Sequence, residues 1–227
     1  MLLNKVPSIT KFVCNFCKTK FNFIEELKSH KNSSECITDN VLWDIIKNSN
    51  LDYIDKLKYL LNEFGTKEPC NRFDVGNVIE FIVSDFLTEN GLKVEELPNA
   101  KRVDLCINKT YPLSIKYSST GDITLHNSNS CINKDNKMTD LLLLTLDGLY
   151  LITNKQLLIH NIDINNYLKN HGDSLKLKRT LLSILKKEDY PYYKKIDINI
   201  DKKKCKNRLT SKVFYKQFNN EYLDSIK

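Results

Sequence analysis

Apolar residues recur at helical spacing through residues 39–64. Val41, Leu42, Ile45 and Ile46 share one face of a helix that Asp39 or Asn40 can cap. Ile54, Leu57, Leu60, Leu61 and Phe64 form the stripe of a second helix, opened by Asn50 or Asp52 and stopped by Gly65. Glu68–Phe73, around Pro69, reads as a loop. Val75–Asn90 is a strong helix with Val78, Ile79, Ile82, Val83 and Phe86 on one side, ended by Asn90-Gly91.

From Leu92 the period shortens. Val94–Leu97, Arg102–Ile107 and Leu113–Tyr117 read as strands, with turn chemistry at Pro98-Asn99 and Asn108–Pro112. Leu141–Thr145 and Leu149–Thr153 flank Asp147-Gly148, a hairpin signal. Ile162–Asn170 and Ser174–Lys187 look helical, Lys195–Ile200 reads as a strand, and Lys212–Ser225 as a last helix. The expectation is a mixed fold, α+β or α/β, behind a small N-terminal module. Its boundaries fall at 1–38 for that module, 39–73 for a helical linker region, 74–160 for the core, and 161–227 for a basic region packing on the core.

The chain of 227 residues is long enough for one ordinary core plus an appendage. No apolar run approaches the roughly 18–20 residues of a membrane span; the longest, Leu141–Leu146, fits a buried strand. The N-terminus, Met-Leu-Leu-Asn-Lys, has neither an apolar signal region nor a small-residue cleavage site, which argues for an intracellular protein. Of seven cysteines, Cys70, Cys106, Cys131 and Cys205 are scattered without a framework and read as free thiols in a reducing compartment.

Charge is uneven. Residues 1–150 hold 18 Lys and Arg against 20 Asp and Glu, whereas residues 151–227 hold 17 against 8. A basic last third suits a polyanion, most often nucleic acid, although a solvated lysine-rich face gives the same count. The richness in Asn, Lys and Ile fits an AT-rich genome, of a virus or a host, so composition drift accounts for part of the lysine excess.

The remaining cysteines fall into a motif. Cys14, Cys17, His30 and Cys36 are spaced Cys-x2-Cys-x12-His-x5-Cys. The two-residue gap lets a tight knuckle aim two thiolates at one ion, a helix after Phe21 presents His30, and Cys36 closes a tetrahedron just past that helix. Phe12, Phe21 and Leu27 would form its tiny core, so Zn²⁺ would supply most of the folding energy. Residues 12–36 resemble the C2H2 zinc finger family in its CCHC variant. In that family the helix start reads bases. Here it carries Phe23, Ile24, Glu25 and Glu26, a poor set for phosphate or guanine. DNA positioning and a structural or protein-contact role both remain open for the finger.

A second constellation lies between residues 80 and 116. Folding the hairpin about Asn108–Pro112 brings Asp104 roughly opposite Lys116. By the two-residue period Asp104, Cys106, Ser114 and Lys116 share one face, while Val103, Leu105, Ile107, Leu113 and Ile115 fill the other. An acid and a lysine thus meet beside the helix that carries Glu80. Phosphodiester hydrolysis uses such a set: carboxylates hold Mg²⁺, the ion stabilises charge on the phosphate, and a lysine orients or deprotonates the attacking water. A surface hairpin with a plain Asp104–Lys116 salt bridge is the alternative.

At these residues, over about 74–155, the chain looks like the PD-(D/E)xK nuclease superfamily, the restriction-endonuclease-like fold. The resemblance implies a core of a helix, a three-stranded meander and further mixed elements. It also implies a Mg²⁺-dependent DNA endonuclease of restriction, homing or viral DNA-processing type. Asp104 matches the first acid and Lys116 the lysine. Glu80 matches the acid often found on the preceding helix, and the backbone carbonyl of Ile115 would complete the metal ligands. One position departs: two before the lysine the family has Asp or Glu, and this chain has Ser114. Glu80 is placed to compensate; without that compensation the chain would be a non-catalytic DNA-binding protein on a degenerate scaffold. A third reading is a protein-interaction module that uses the finger.

Polar residues downstream, Ser118, Ser119, Thr120, His126 and Asn127, suit phosphate and base-edge contacts, with His126 alternatively a proton shuttle. Lys101 and Arg102 stand beside Asp104. Lys202, Lys203, Lys204, Lys206 and Arg208 would form a DNA-tracking arm. Breaking both strands with one centre per chain would favour a homodimer.

Overall fold

The computed structural model describes residues 12–13, 20–32, 37–48, 52–64, 69–97, 103–125, 138–171, 174–187, 189–198 and 211–227. At the N-terminus, strands β1 (Phe12–Val13) and β2 (Lys20–Phe21) pair antiparallel, Phe12 against Phe21, and helix α1 (Ile24–Asn32) packs against both. The α1 start is capped from within. The Glu26 carboxylate accepts the backbone N–H groups of Asn22 and Phe23 at 3.2 and 3.3 Å, half of a capping box.

Helices α2 (Asp39–Asn48), α3 (Asp52–Phe64) and α4 (Pro69–Glu89) follow. The segment expected as a linker is part of the core instead: Leu42, Trp43, Ile46, Ile54, Leu57, Leu60 and Leu61 are all buried in the cluster that takes in α4 and the sheet. Val41, expected on the inner face of α2, is 46% exposed, and Trp43 takes its place. The expected loop at Glu68–Phe73 is also corrected. Pro69 is the first residue of α4, where its missing N–H leaves no intrahelical bond unmade.

The main sheet has six strands. β3 (Val94–Glu96), β4 (Leu105–Ile107) and β5 (Tyr111–Ser118) form an antiparallel meander, and β7 (Leu141–Thr145) pairs parallel to β5. β8 (Gly148–Ile152) returns from β7 around Leu146-Asp147, as the Asp-Gly pair predicts, and β11 (Tyr193–Lys195) closes the far edge. β7 and β8 are buried at every position, the pattern of strands covered on both faces. The β4–β5 turn places Asn108 and Lys109 at φ 49° and 60°, the left-handed pair of a primed hairpin turn.

β6 (Ile123–Leu125), β10 (Ser174–Leu177) and β9 (Leu168–His171) make a second, antiparallel sheet in that spatial order. Here two expected helices fail. Ile162–Asn170 holds only a 3-10 turn (Ile164–Tyr167) before β9. Ser174–Lys187 divides into β10 and a helix, Thr180–Lys187. In chain order the later helices are α5 (Asn154–Ile159), α6 (Thr180–Lys187) and α7 (Ser211–Ser225). α7 lies on α3 and α4, with Phe214, Phe218 and Tyr222 buried. The fold is therefore α+β with a mixed main sheet. No helix among the described residues is long and apolar enough to cross a membrane.

Candidate metal-dependent active site

β4 begins at Leu105, opposite Leu113, while β5 runs on to Ser118. Ser114 donates its backbone N–H toward the β7 side, to Asp140 O at 2.9 Å, so the next residue, Ile115, presents its N–H on the β4 side. There the Asp104 carboxylate takes the place of a strand partner, accepting the Ile115 N–H at 2.6 Å. The same Oδ2 accepts Ser114 Oγ–H at 2.9 Å and Lys116 Nζ–H at 2.7 Å, and Lys116 also donates to the Ile115 carbonyl at 2.8 Å. Ser114, Ile115 and Lys116 thus converge on one oxygen.

The expected face holds for Leu105, Ile107, Leu113 and Ile115, which are buried, while Val103, ahead of β4, is only half-buried; Asp104, Cys106, Ser114 and Lys116 are half-buried. The expected register needs one correction. Asp104 precedes β4, and its N–H donates to Leu113 O at 3.1 Å, so its backbone lies beside Leu113 and Ser114 rather than opposite Lys116. The lysine reaches back along the strand to meet it. The Asp104 and Lys116 side chains are only 20% and 26% exposed, so the pair is more enclosed than a surface ion pair.

Helix α4 packs against β3 and β5, and its Glu80 lies within electrostatic reach of Asp104 and Lys116. Burial, then the charge of Asp104, push the Glu80 carboxyl up to about 7; Lys116 opposes the shift and Glu96 adds to it. Glu96, at the end of β3, belongs to this electrostatic neighbourhood and was not singled out from sequence. The signal for it was the meander, which pairs Glu96 with Leu105, next to Asp104. Burial also raises the Cys106 thiol, with Glu95 contributing.

The donor set fits a hard divalent cation: two carboxylates, Glu80 and Asp104 through Oδ1, and the Ile115 carbonyl, all oxygen. A carboxyl whose hold on its proton is strengthened first by burial and then by a neighbouring carboxylate is the group a bound cation would relieve.

The other expected site residues divide three ways. Ser118 is 7% exposed and its hydroxyl donates to the Asp122 carbonyl at 2.6 Å, so it builds the turn after β5 rather than facing a ligand. Ser119 is half-buried and Thr120 exposed on that turn. Lys101, Arg102, His126, Asn127, Lys202, Lys203, Lys204, Lys206 and Arg208 lie outside the described residues, as do Cys14, Cys17 and Cys36. His30 falls in the last turn of α1, which follows the β1–β2 pair in the order strand, strand, helix.

Comparisons with known proteins give no match: no family model, no curated protein and no solved structure matches this chain.

Proposed function

We propose that this protein is a metal-dependent phosphodiester hydrolase acting on DNA, an endonuclease of the PD-(D/E)xK kind preceded by a zinc finger. The observation that carries the reading is the meeting of Asp104, Lys116 and the proton-retaining Glu80 where β5 outruns β4. The element order supports it as well: a helix, an antiparallel three-stranded meander, and a further strand parallel to the third.

Glu80, Asp104 Oδ1 and the Ile115 carbonyl would hold a divalent ion, which would supply positive charge for the scissile phosphate. Lys116, held as an ammonium between Asp104 and the Ile115 carbonyl, would orient a water beside that ion. Ser114 fixes the rotamer of Asp104 and brings no charge of its own. Basic residues of the last third, Lys178, Arg179 and Lys187 among them, provide part of the field that draws a polyanion, while Lys176 and Lys186 are paired with Asp122 and Asp147.

Ser114 in an acidic slot also favours a second reading, a DNA-binding protein that keeps the scaffold without the chemistry. Incubating the zinc-loaded protein with supercoiled DNA separates the two. Nicking or linearisation that needs added Mg²⁺ or Mn²⁺ supports the hydrolase. Salt-sensitive binding without cleavage in either ion supports the binding protein.

A further inference from the structure

Asp104 Oδ2 is saturated. Three donors surround it at 2.6, 2.7 and 2.9 Å: the Ile115 N–H, the Lys116 ammonium and the Ser114 hydroxyl. A carboxylate oxygen in that setting has no open direction for a metal ion, which would need to approach to about 2.1 Å. One of the three donors is backbone, held by the pairing of β5 with β7, and cannot swing away. Asp104 therefore presents a single oxygen, Oδ1, to a cation.

This limits the number of ions. A two-metal phosphodiesterase centre sets its ions about 3.5–4 Å apart as a shared clamp, and an aspartate that gives one oxygen to each ion uses both of them. Asp104 has one to give. A third carboxylate could compensate, and position 114 is on the right face for it, but Ser114 carries a hydroxyl already committed as a donor. Glu96 is exposed at the end of β3, so what remains is Glu80, Asp104 Oδ1 and the Ile115 carbonyl. Two carboxylates against the Lys116 charge leave a deficit that one divalent cation covers.

We infer that the centre takes one divalent cation per chain, because Ile115 and Lys116 keep Asp104 Oδ2 occupied and Ser114 withholds a third carboxylate. The inference rests on the metal-dependent reading of the site, but it concerns stoichiometry, which can be counted without any cleavage.

The test is a Mn²⁺ titration of the full-length, zinc-loaded protein, with free and bound Mn²⁺ counted by electron paramagnetic resonance. The expected result is one bound Mn²⁺ per chain with an uncoupled six-line character, weakened at least tenfold in Glu80→Gln. Ser114→Ala keeps one ion, because Ile115 and Lys116 still hold Oδ2. Ser114→Asp takes up a second ion, and the signal broadens through coupling between the two. Circular dichroism of each variant confirms that it is folded. Two coupled ions in the parent protein overturn the inference, and so does a Ser114→Asp protein that still binds one. Two ions with Mn²⁺-dependent cleavage would overturn the count alone. One ion without cleavage upholds the count and removes the hydrolase. No bound Mn²⁺ and no cleavage removes both.

Discussion

Lys116 donates to Asp104 at 2.7 Å from a position further along β5 than the backbone of Asp104 itself. The lysine leans back because Asp104 stands in for the strand partner that β5 lacks beyond Leu113, and its carboxylate is the acceptor within reach. Structural necessity and candidate chemistry coincide at this one oxygen. The pair cannot be removed without exposing both roles.

The structural role predicts a stability cost. Asp104→Ala strips the acceptor from the Ile115 N–H, the Ser114 hydroxyl and the Lys116 ammonium together. Leaving partly buried donors unsatisfied costs about 1–3 kcal/mol, so urea unfolding should show a midpoint lowered to match. Lys116→Ala leaves the two other donors in place and should cost less.

Glu80 predicts a pH dependence. Its ordinary value is near 4.5 and its folded value is about 7. Between these pH values the unfolded chain has lost a proton that the folded chain keeps, so this contribution is fully present below about pH 4.5 and is lost as pH rises to about 7. The loss amounts to at most about 3 kcal/mol. Without added divalent ions, stability should fall across that window, and Glu80→Gln should flatten the decline. Added Mg²⁺ should stabilise the protein more at pH 8 than at pH 5, because only the charged carboxylate binds it.

Gly148 predicts a packing defect. A Cβ there would lie 2.5 Å from Tyr193 Cε2 and 3.0 Å from Tyr150 Cε2, inside the stacked Tyr150–Tyr193 pair. Gly148→Ala should lower stability by about 1–3 kcal/mol and disturb the β8–β11 edge, which thermal unfolding and tyrosine fluorescence would register.

Zinc removal predicts a local change. Among the described residues the buried core starts at Ile37, and the single tryptophan, Trp43, lies inside it. Chelation should therefore cost the helical signal of α1 while Trp43 emission and the main unfolding transition hold. Co²⁺ substitution should give tetrahedral thiolate bands that Cys14→Ser diminishes.

The three strands of the meander, strand β7 and the β7–β8 hairpin were legible because each carries a local code, whereas the parallel pairing of β7 with β5 was not read. Alternation placed Leu105, Ile107, Leu113 and Ile115 inward, a run of leucines marked β7, and Asp147-Gly148 marked the turn. The same alternation put Asp104, Ser114 and Lys116 on one face. Strands β9 and β10 were not legible. Each spans four residues inside a longer stretch whose apolar residues, Ile164, Tyr167 and Leu168, then Leu177, Leu181 and Leu185, also suit helical spacing. Their pairing with each other and with β6, Leu175 against Asn170 and Leu125, is a tertiary choice. Pro69 misled because proline ends helices and also starts them. The register at Asp104 was missed because it depends on where β4 begins, which side-chain pattern does not encode. The saturation of Oδ2 needed three-dimensional geometry throughout.

The central claim is that Asp104 and Lys116 form a hydrolytic centre rather than a structural ion pair. The direct measurement compares parent and Lys116→Ala proteins for DNA binding, by fluorescence anisotropy, and for Mg²⁺-dependent nicking of supercoiled DNA. The prediction is unchanged binding within about twofold and nicking slowed by at least about 100-fold, the scale of a lost water-positioning group. Equal nicking by both proteins, or none by either across Mg²⁺ and Mn²⁺, would contradict it.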